Sequence, residues 1–219
     1  MVWRKELKWA FLPVGEAFLI PGVSRRDVDG IETGWQSRTF SQNAFSSFKK
    51  SLTCLWGDRM IRLRPYKESD AERILSWCKD ERTFYQWTAG ILGAYPISAE
   101  QFTQLGSLMR FTALDEKEIV GFFTARNPKP ILEELRFGFV IIDPEKRGRG
   151  FGKEMLRLGL EYARIVYKAK RVSLGVFENN DRAYRCYKAA GFQDVTLPET
   201  EQYRIMGEVW ACRELEYLL

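Results

Sequence analysis

The stretch FVIIDPEKRGRGFGK, residues 139–153, decides the fold because an apolar segment, a glycine-rich turn and a helix follow one another in it. The apolar segment extends back to Leu135 and is rich in β-branched and aromatic residues, which predicts a buried strand. The residues after the turn predict a helix over 152–168. Its buried stripe is predicted to be Leu156, Leu160, Ala163 and Tyr167.

The glycine-rich turn has the features of an anion-binding site. Successive backbone N–H groups in such a turn, and the positive end of the helix that follows, both favour negative charge. Glycine lets the backbone approach a phosphate closely, and Arg147, Arg149 and Lys153 add positive charge. The alternative is a tight strand-to-helix turn that needs glycine only for its conformation.

The spacing excludes the P-loop and the dinucleotide-binding fingerprint. A P-loop has four residues between its glycines, followed by Lys-Ser/Thr. Here three residues separate Gly148 from Gly152, and Lys153 is followed by Glu154. The dinucleotide fingerprint is G-x-G-x-x-G, whereas the glycines here are spaced G-x-G-x-G.

A second motif follows one helix and one strand downstream. Residues 180–192 read NDRAYRCYKAAGF, which matches N-x-x-A-x-x-x-Y-x-x-x-G-F. Together with R-x-x-G-x-G at 147–152, this pattern resembles the GNAT N-acetyltransferase family, with both motifs in the family's order. The family's general layout extends from about Met60 to Leu215 and leaves residues 1–59 uncovered.

The resemblance implies an α/β fold, a mixed and mostly antiparallel sheet with splayed central strands flanked by helices, with the domain at 60–219. Acetyl-CoA would lie in the gap between the two splayed strands. Its pantetheine would pair with the backbone of the apolar strand, and its pyrophosphate would lie on the glycine-rich turn. The cofactor-binding residues implied are Val140, Ile141, Ile142, Arg147, Gly148, Arg149, Gly150, Phe151, Gly152, Lys153 and Asn180.

The implied reaction is direct attack of a primary amine on the thioester of acetyl-CoA. The ammonium form of the amine must first lose a proton, and the departing thiolate should gain one. Tyr187 matches the family tyrosine near the sulfur and is predicted to be the general acid; the alternative is an aromatic side chain that only packs on its helix.

The general base is less clearly indicated. N-terminal acetyltransferases of ribosomal proteins often carry Glu five residues before the motif Asn, and Gly175 stands at that position here, which weakens a peptide amino-terminus as substrate. Glu134, at the start of the apolar strand, is the candidate base, with Glu133 and Glu208 as rivals and a water chain as a further alternative. For each glutamate, the alternative to a general base is a solvated position at the surface.

Other functions stay open at this point. The missing base permits a non-catalytic acyl-CoA-binding regulator, and a protein N-terminal or ribosomal-protein acetyltransferase is a further alternative. The segment Trp77 to Tyr95 is rich in aromatic residues and either lines an acceptor pocket or caps the core. The expected partner is an amine-bearing small molecule or a protein amine, bound by a monomer or homodimer.

Composition narrows the field further. The chain has no histidine, which excludes a Ser-His-Asp triad, a Cys-His dyad and His-ligated metal, and we predict no metal site. The net charge of +5 divides into +3 for residues 1–59 and +2 for the rest, so there is no electrostatic case for nucleic acid. No apolar run is long enough for a membrane span, and scattered cysteines outside C-x-x-C pairs favour a reducing, cytoplasmic location.

Residues 1–59 show no sustained period and predict no element; an accessory segment, a flexible tail and sequence upstream of a true start at Met60 are the alternatives. Beyond them we predict a strand at 60–64, a helix capped by Ser69 or Asp70 that runs through Trp77, and a helix near Ser98. Further strands are predicted at 111–114, 119–125, 171–176, 192–196 and 207–215, and a helix at 180–190. Cys78 and Cys186 are expected in helices, as buried apolar residues.

Overall fold

The structure is a computed structural model that describes residues 61–104, 106, 108–128 and 133–219. The predictions for residues 1–59 lie outside the described residues. The described strands are β1 (Ile61–Pro65), β2 (Met109–Asp115), β3 (Glu118–Arg126), β4 (Glu134–Ile142), β5 (Arg171–Phe177), β6 (Gln193–Val195), β7 (Glu201–Ile205) and β8 (Glu208–Leu218). The described helices are α1 (Ala71–Leu75), α2 (Glu81–Thr88), α3 (Ala99–Thr103), α4 (Phe151–Tyr162) and α5 (Asp181–Ala189).

The eight strands form one sheet in the order β1-β2-β3-β4-β5-β8-β6, with β7 paired to β8 beside β6. Within the described residues the pairs are antiparallel except β4 and β5, which run parallel. A parallel pair needs a long crossover, and α4 supplies it between these two strands. The mixed, mostly antiparallel sheet flanked by helices is the fold class that the sequence predicts.

Helices cover both faces of the sheet. On one face α4 packs closely against β3 and β4. The close approach occurs at Gly159, where an added Cβ would lie 3.0 Å from Phe123 and 3.1 Å from Phe137. On the other face α1, α2 and α3 enclose a second core. Its buried members include Ile74, Trp77, Phe84, Phe102, Phe122 and Ile141.

The first helical region differs from its prediction. Asp70 occupies the N-cap position of α1, but its carboxylate accepts hydrogen bonds from Arg64 and Thr112 instead of capping the helix. The helix ends at Leu75, so the prediction of a helix through Trp77 was too long and the placement of Cys78 in a helix was wrong. Cys78 is nevertheless buried, as expected, whereas Cys186 lies in α5 and is half-buried.

Two elements were not predicted, and the end of the long helix is π-helical where an α-helix was predicted. The helix α2 and the strand β7 lie in segments for which no helix or strand was predicted. The long helix is α-helical only to Tyr162, and Ala163–Tyr167 then form a π-helical turn that ends at Lys168 with φ +62°. None of the described helices is both long enough and apolar enough to cross a membrane.

Candidate active site

A gap opens between β4 and β5 in the middle of the sheet. The two strands pair only where Glu134–Arg136 face Arg171–Ser173. Beyond this short joint, β4 continues along β3 while β5 continues along β8. The central strands therefore splay apart. The β4–β5 ladder ends before residue 137 on β4 and before residue 174 on β5. Beyond these points the backbone edges of the two strands face the gap.

A β-bulge in β4 stands at the border of this gap. Two residues of β4, Phe139 and Val140, lie opposite the single residue Phe123 of β3, and Phe139 has φ +46°. A bulge interrupts the hydrogen-bond ladder and turns backbone groups out of register. Positive φ is unfavourable for a side chain as large as phenylalanine, so the surrounding packing must hold it. Trp87 does part of this, since its ring centre lies 6.3 Å from that of Phe139.

The glycine-rich loop is fixed at its start by Asp143. The buried Asp143 carboxylate accepts hydrogen bonds from the Glu145 N–H and from Arg73, at 2.9 and 2.7 Å. The Nε of Arg147 donates to the carbonyl oxygen of Ile142 at 3.2 Å. The chain thus leaves β4 in one defined direction and enters α4 at Phe151.

Two of the three loop glycines are needed for conformation. Gly148 and Gly150 have φ of +77° and +86°, and a Cβ on either would meet no atom within 4 Å. A left-handed backbone costs other residues roughly 1–2 kcal/mol. The loop therefore requires glycine there even though space is available.

Gly152 is needed for space instead. A Cβ on it would lie 2.7 Å from the Sγ of Cys186 and 3.5 Å from the Cγ1 of Ile142. The first turn of α4 consequently touches both α5 and the end of β4. The positive N-terminal end of α4, which favours anions, is thereby placed at the mouth of the gap.

Arg182 joins this cationic region and was not predicted. The pKa of Arg147 is lowered by burial first and then by the positive charge of Arg182. Two guanidinium groups near each other favour binding of an anion between them. Arg182 lies two residues after Asn180 in the second motif, and this spacing is the signal that points to it in the sequence.

Asn180 lies across the gap from the loop, at the N-cap of α5. Its amide oxygen accepts a hydrogen bond from the Ala183 N–H at 3.2 Å. The cap uses the oxygen, so the Nδ2 group is the part of the side chain that could donate to a ligand. The predicted helix and its cap are confirmed, and Gly191 ends the segment with φ +102°.

Tyr187 lies on α5 and is buried, with 6% of its surface exposed. Burial raises the pKa of its phenol, and the neighbouring thiols of Cys186 and Cys212 raise it further. The phenol therefore stays protonated at physiological pH and can act as a proton donor. Since Cys186 touches the α4 N-terminus at Gly152, Tyr187 stands next to the junction of α4 with α5.

The predicted base Glu134 lies elsewhere. It belongs to the closed end of the β4–β5 joint, six residues from Val140, or about 20 Å at the usual strand rise. Its buried carboxylate accepts a hydrogen bond from Ser173 at 2.8 Å and pairs with Arg171 at 3.4 Å. This placement gives Glu134 a structural role, that of fastening β4 to β5.

Its two rivals are also engaged in structural contacts. Glu133 is exposed and forms an ion pair with Lys170. Glu208 pairs with Arg82 at 3.2 Å and accepts a hydrogen bond from the Trp210 indole at 2.7 Å. The hydrogen bond from Trp210, followed by that from Arg82, lowers the pKa of Glu208. Glu133 thus lies at the closed end of the joint between β4 and β5, where its carbonyl oxygen also accepts from the N–H groups of Lys170 and Arg171, and Glu208 lies at the start of β8.

The face of the sheet opposite α4 carries the remaining wall of the gap. Gly175 of β5 lies there, and a Cβ on it would be 3.0 Å from Cys212 Sγ and 3.1 Å from Arg136 Nη2. Farther along, an apolar cluster closes the end of β5 against α2 and the β7–β8 hairpin. Its members are Phe177, Ile205 and Trp210, with Tyr85, Ala89, Tyr203 and Cys212 packed around them. We call the surface from Arg136 and Gly175 to this cluster the acceptor face.

The aromatic segment 77–95 packs into the core, and it also reaches the apolar cluster at the end of β5. Trp77 and Phe84 are buried in the core, which is capping. Tyr85 packs against this core and also contacts the apolar cluster at the acceptor face. Gln86 fastens α2 to the loop before α5 by donating to Asn179 at 3.0 Å.

The structure thus places the loop 147–152 at the end of β4 next to α5, which carries Tyr187 and is capped by Asn180, and it places Glu134 in the joint between β4 and β5. Comparison with known proteins fits this geometry. The sequence profile of the acetyltransferase (GNAT) family matches residues 69–192, more than half of the chain.

Individual relatives match shorter regions. A spermine/spermidine N(1)-acetyltransferase from Bacillus subtilis is 44% identical over 52 residues, which are 24% of this chain and 34% of that protein. The N-alpha-acetyltransferase RimI from Mycobacterium tuberculosis is 40% identical over 68 residues, 30% of this chain and 39% of that protein. The chain therefore aligns with only a third or slightly more of these curated relatives.

Among solved structures, a spermidine N-acetyltransferase from Vibrio cholerae, in complex with CoA and spermine, superposes with a TM-score of 0.61 at 20% identity. The superposition covers 72% of this chain and 95% of that one. At this identity the likeness concerns the fold. With the profile match, the two motifs and the splayed sheet in agreement, the chain belongs to the acetyltransferase (GNAT) family.

Proposed function

We propose that the protein is an N-acetyltransferase that moves the acetyl group of acetyl-CoA to a primary amine of a small molecule. The observation that carries the proposal is the gap between β4 and β5, with the bulge at Phe139 on one of its strands and the glycine-rich loop 147–152 at the end of that strand. Acetyl-CoA would supply an activated acetyl thioester when bound. The residues present fit such a ligand, because the loop combines left-handed glycines with a helix N-terminus and two arginines.

Backbone groups would hold the cofactor along its length. The backbone of Val140, Ile141 and Ile142 would pair with its extended arm, as a strand added to an open edge does. The amides from Gly148 to Lys153, with Arg147 beside them, would hold its pyrophosphate. Asn180 would contact it from the opposite wall of the gap.

Tyr187 would complete the transfer as general acid. Its phenol is held in the protonated state by burial, so it has a proton to give to the departing sulfur. Because a raised pKa makes the phenol a weaker acid, its proton would move only as negative charge builds up on the sulfur. Backbone N–H groups turned out of register by the bulge are suited to hold the developing negative charge on the carbonyl oxygen.

We propose a small cationic amine, the polyamine class first, as the acceptor. The support is that relatives named for spermine and spermidine occur both in the sequence and in the fold comparison. The test is thiol release from acetyl-CoA by the purified full chain, measured across polyamines, aminoglycosides, amino acids and peptides alongside acetyl-CoA binding. Release with polyamines supports the proposal, and release only with peptide amino-termini favours a protein N-terminal acetyltransferase.

The variant Tyr187→Phe tests the chemistry, because it removes the phenolic proton and keeps the ring. We expect kcat to fall by about 10²-fold or more, with acetyl-CoA affinity nearly unchanged. An unaltered pH–rate profile in this variant would remove Tyr187 from the mechanism. Tight acetyl-CoA binding without turnover by the unmodified protein, across the whole panel, would support the non-catalytic regulator instead.

A further inference from the structure

A carboxylate lies over the apex of the gap on the acceptor face. Glu214 of β8 is the direct cross-strand partner of Gly175 on β5. Gly175 lies two residues beyond Ser173, the last β5 residue that pairs with β4. The Glu214 carboxylate therefore stands where the two central strands begin to separate.

Arg136 fixes this carboxylate from the other side of the gap. Its Nη2 donates to Glu214 Oε2 at 2.9 Å, and its Nη1 contacts Glu214 Oε1, which makes the pair bidentate. Nη1 also donates to Ser173 Oγ at 3.3 Å. Arg136 is the last β4 residue in the joint, so the pair spans β4, β5 and β8 at the apex.

The absence of a side chain at Gly175 makes room for this bridge. A Cβ there would lie 3.1 Å from Arg136 Nη2 and 3.7 Å from Glu214 Oε2, in addition to its contact with Cys212. Gly175 is partly exposed although β5 is an interior strand of the sheet. The neighbouring strand thus supplies a carboxylate over a position that carries no side chain, at a place that solvent reaches.

We propose that Glu214 receives the ammonium group of the acceptor and takes up the proton that this group must lose, an inference that rests on the acetyltransferase function proposed above. The acceptor nitrogen then forms the new C–N bond as the C–S bond breaks. The sulfur takes the Tyr187 proton, and the acylated nitrogen returns one proton to Tyr187. Glu214 releases its proton to water, so one proton leaves per acetyl group transferred.

The surroundings of Glu214 suit this role. Arg136 acts as a positioning residue that holds the carboxylate over Gly175. The titratable and charged groups around it are Arg126 on β3, Arg136 on β4, Glu201 and Tyr203 on β7, and Cys212 on β8.

Other carboxylates near the joint are less suited. Glu134 is buried behind Ser173 and Arg171 at the closed end. Glu216 points to the same face two residues farther along β8, but Arg171 holds it away from the apex with a 2.6 Å contact. Glu201 lies on the outer strand β7, where the Tyr203 hydroxyl donates to it at 2.9 Å.

The test compares Glu214→Gln with Glu216→Gln in the full chain, using the best amine from the panel as acceptor. At pH 7.5 we expect E214Q to lose about 100-fold or more in kcat/KM, which is the lower end of the usual range for a general base, and E216Q to stay near the wild type. The deficit of E214Q should shrink toward pH 10, where the amine is increasingly neutral in solution. Acetyl-CoA affinity should be the same in all three proteins.

The alternatives give different results. A deficit in E214Q that is equal at every pH, or no deficit, would overturn the proposal. If E214Q does not fold, Glu214→Asp decides: a proton-accepting role predicts a deficit at pH 7.5 that shrinks near pH 10, and a purely structural role predicts a lower melting temperature with no such trend. A wild type that binds acetyl-CoA but acetylates no amine overturns the proposed function and this inference with it, whereas an active wild type beside an unaffected E214Q overturns this inference alone.

Discussion

The two walls of the gap are built in different ways. The cofactor wall is one continuous stretch, residues 139–153, in which backbone conformation and the absence of side chains do most of the work. The acceptor face is assembled from side chains that are far apart in sequence, from Tyr85 on α2 to Glu214 on β8. A ligand shared by many proteins can be held by backbone groups, whereas a particular amine must be recognised by side chains.

Among the changes that compare the two walls, the largest effect should come from filling the space at the cofactor wall. Gly152→Val places branched carbons where Cys186 Sγ would already be 2.7 Å from a Cβ, so α4 must move away from α5. Overpacking of this kind costs about 1–3 kcal/mol, and we expect acetyl-CoA affinity to fall by about 30-fold or more. Isothermal titration calorimetry measures this, and unchanged affinity would show that the α4 N-terminus does not hold the cofactor.

The matching change on the acceptor face is Gly175→Ala. Its Cβ would press on Cys212 and on Arg136, at 3.0 and 3.1 Å, and displace the Arg136–Glu214 pair. We expect about a tenfold loss in kcat/KM for the amine, equivalent to about 1.4 kcal/mol, with acetyl-CoA affinity unchanged. A parallel loss of acetyl-CoA affinity would mean that the two walls are not independent.

Two glycines with the same backbone angle separate strain from function. Gly148 in the loop and Gly207 in the β7–β8 turn both have φ +77°, and a Cβ on either meets nothing within 4 Å. Gly148→Ala and Gly207→Ala should therefore each lower the free energy of unfolding by about 1–2 kcal/mol. Only G148A should weaken acetyl-CoA binding, which urea unfolding and calorimetry on both variants would establish.

The smallest effect concerns alkaline pH. Burial first, and then the charge of Glu214, raise the pKa of Cys212 to about 11 from an ordinary value near 9. Between these values the unfolded chain loses the thiol proton while the folded chain keeps it, so stability falls as pH rises. Cys212→Ser removes this contribution. Between pH 9 and 11, the free energy of unfolding should therefore decrease by about 1 kcal/mol less in this variant than in the wild type. Urea unfolding at both pH values tests this; equal slopes would contradict it.

How much the sequence could predict follows the same division. The loop and α5 with its Asn180 cap were predictable because glycine spacing and caps are local. The acceptor face was harder to predict, since α2 is a short helix within an aromatic segment and β7 is defined by its pairing with β8. Glu134 was chosen for its place at the start of β4, but which end of a strand opens depends on strand pairing.

Glu214 could not be identified from the sequence for the same reason, because its position depends on strand pairing. Its importance arises from lying opposite Gly175, a relation set by the register of β5 with β8 across 39 residues of chain. The sequence indicated only that a carboxylate was missing at 175. Arg182, by contrast, stood within a motif and could have been found by its spacing from Asn180.

The bulge at Phe139 also affects which molecules can enter the sheet. Open strand edges normally invite pairing with the strands of other proteins, and proteins protect such edges by bulges or by covering them. Here two edges face each other inside a wedge, and the left-handed turn at Phe139 interrupts the regular donor and acceptor spacing on one of them. A peptide strand, with side chains on both sides and a regular hydrogen-bond repeat, fits this wedge poorly. A slender, unbranched chain meets neither obstacle, so the same distortion that exposes the backbone also opposes edge-to-edge aggregation.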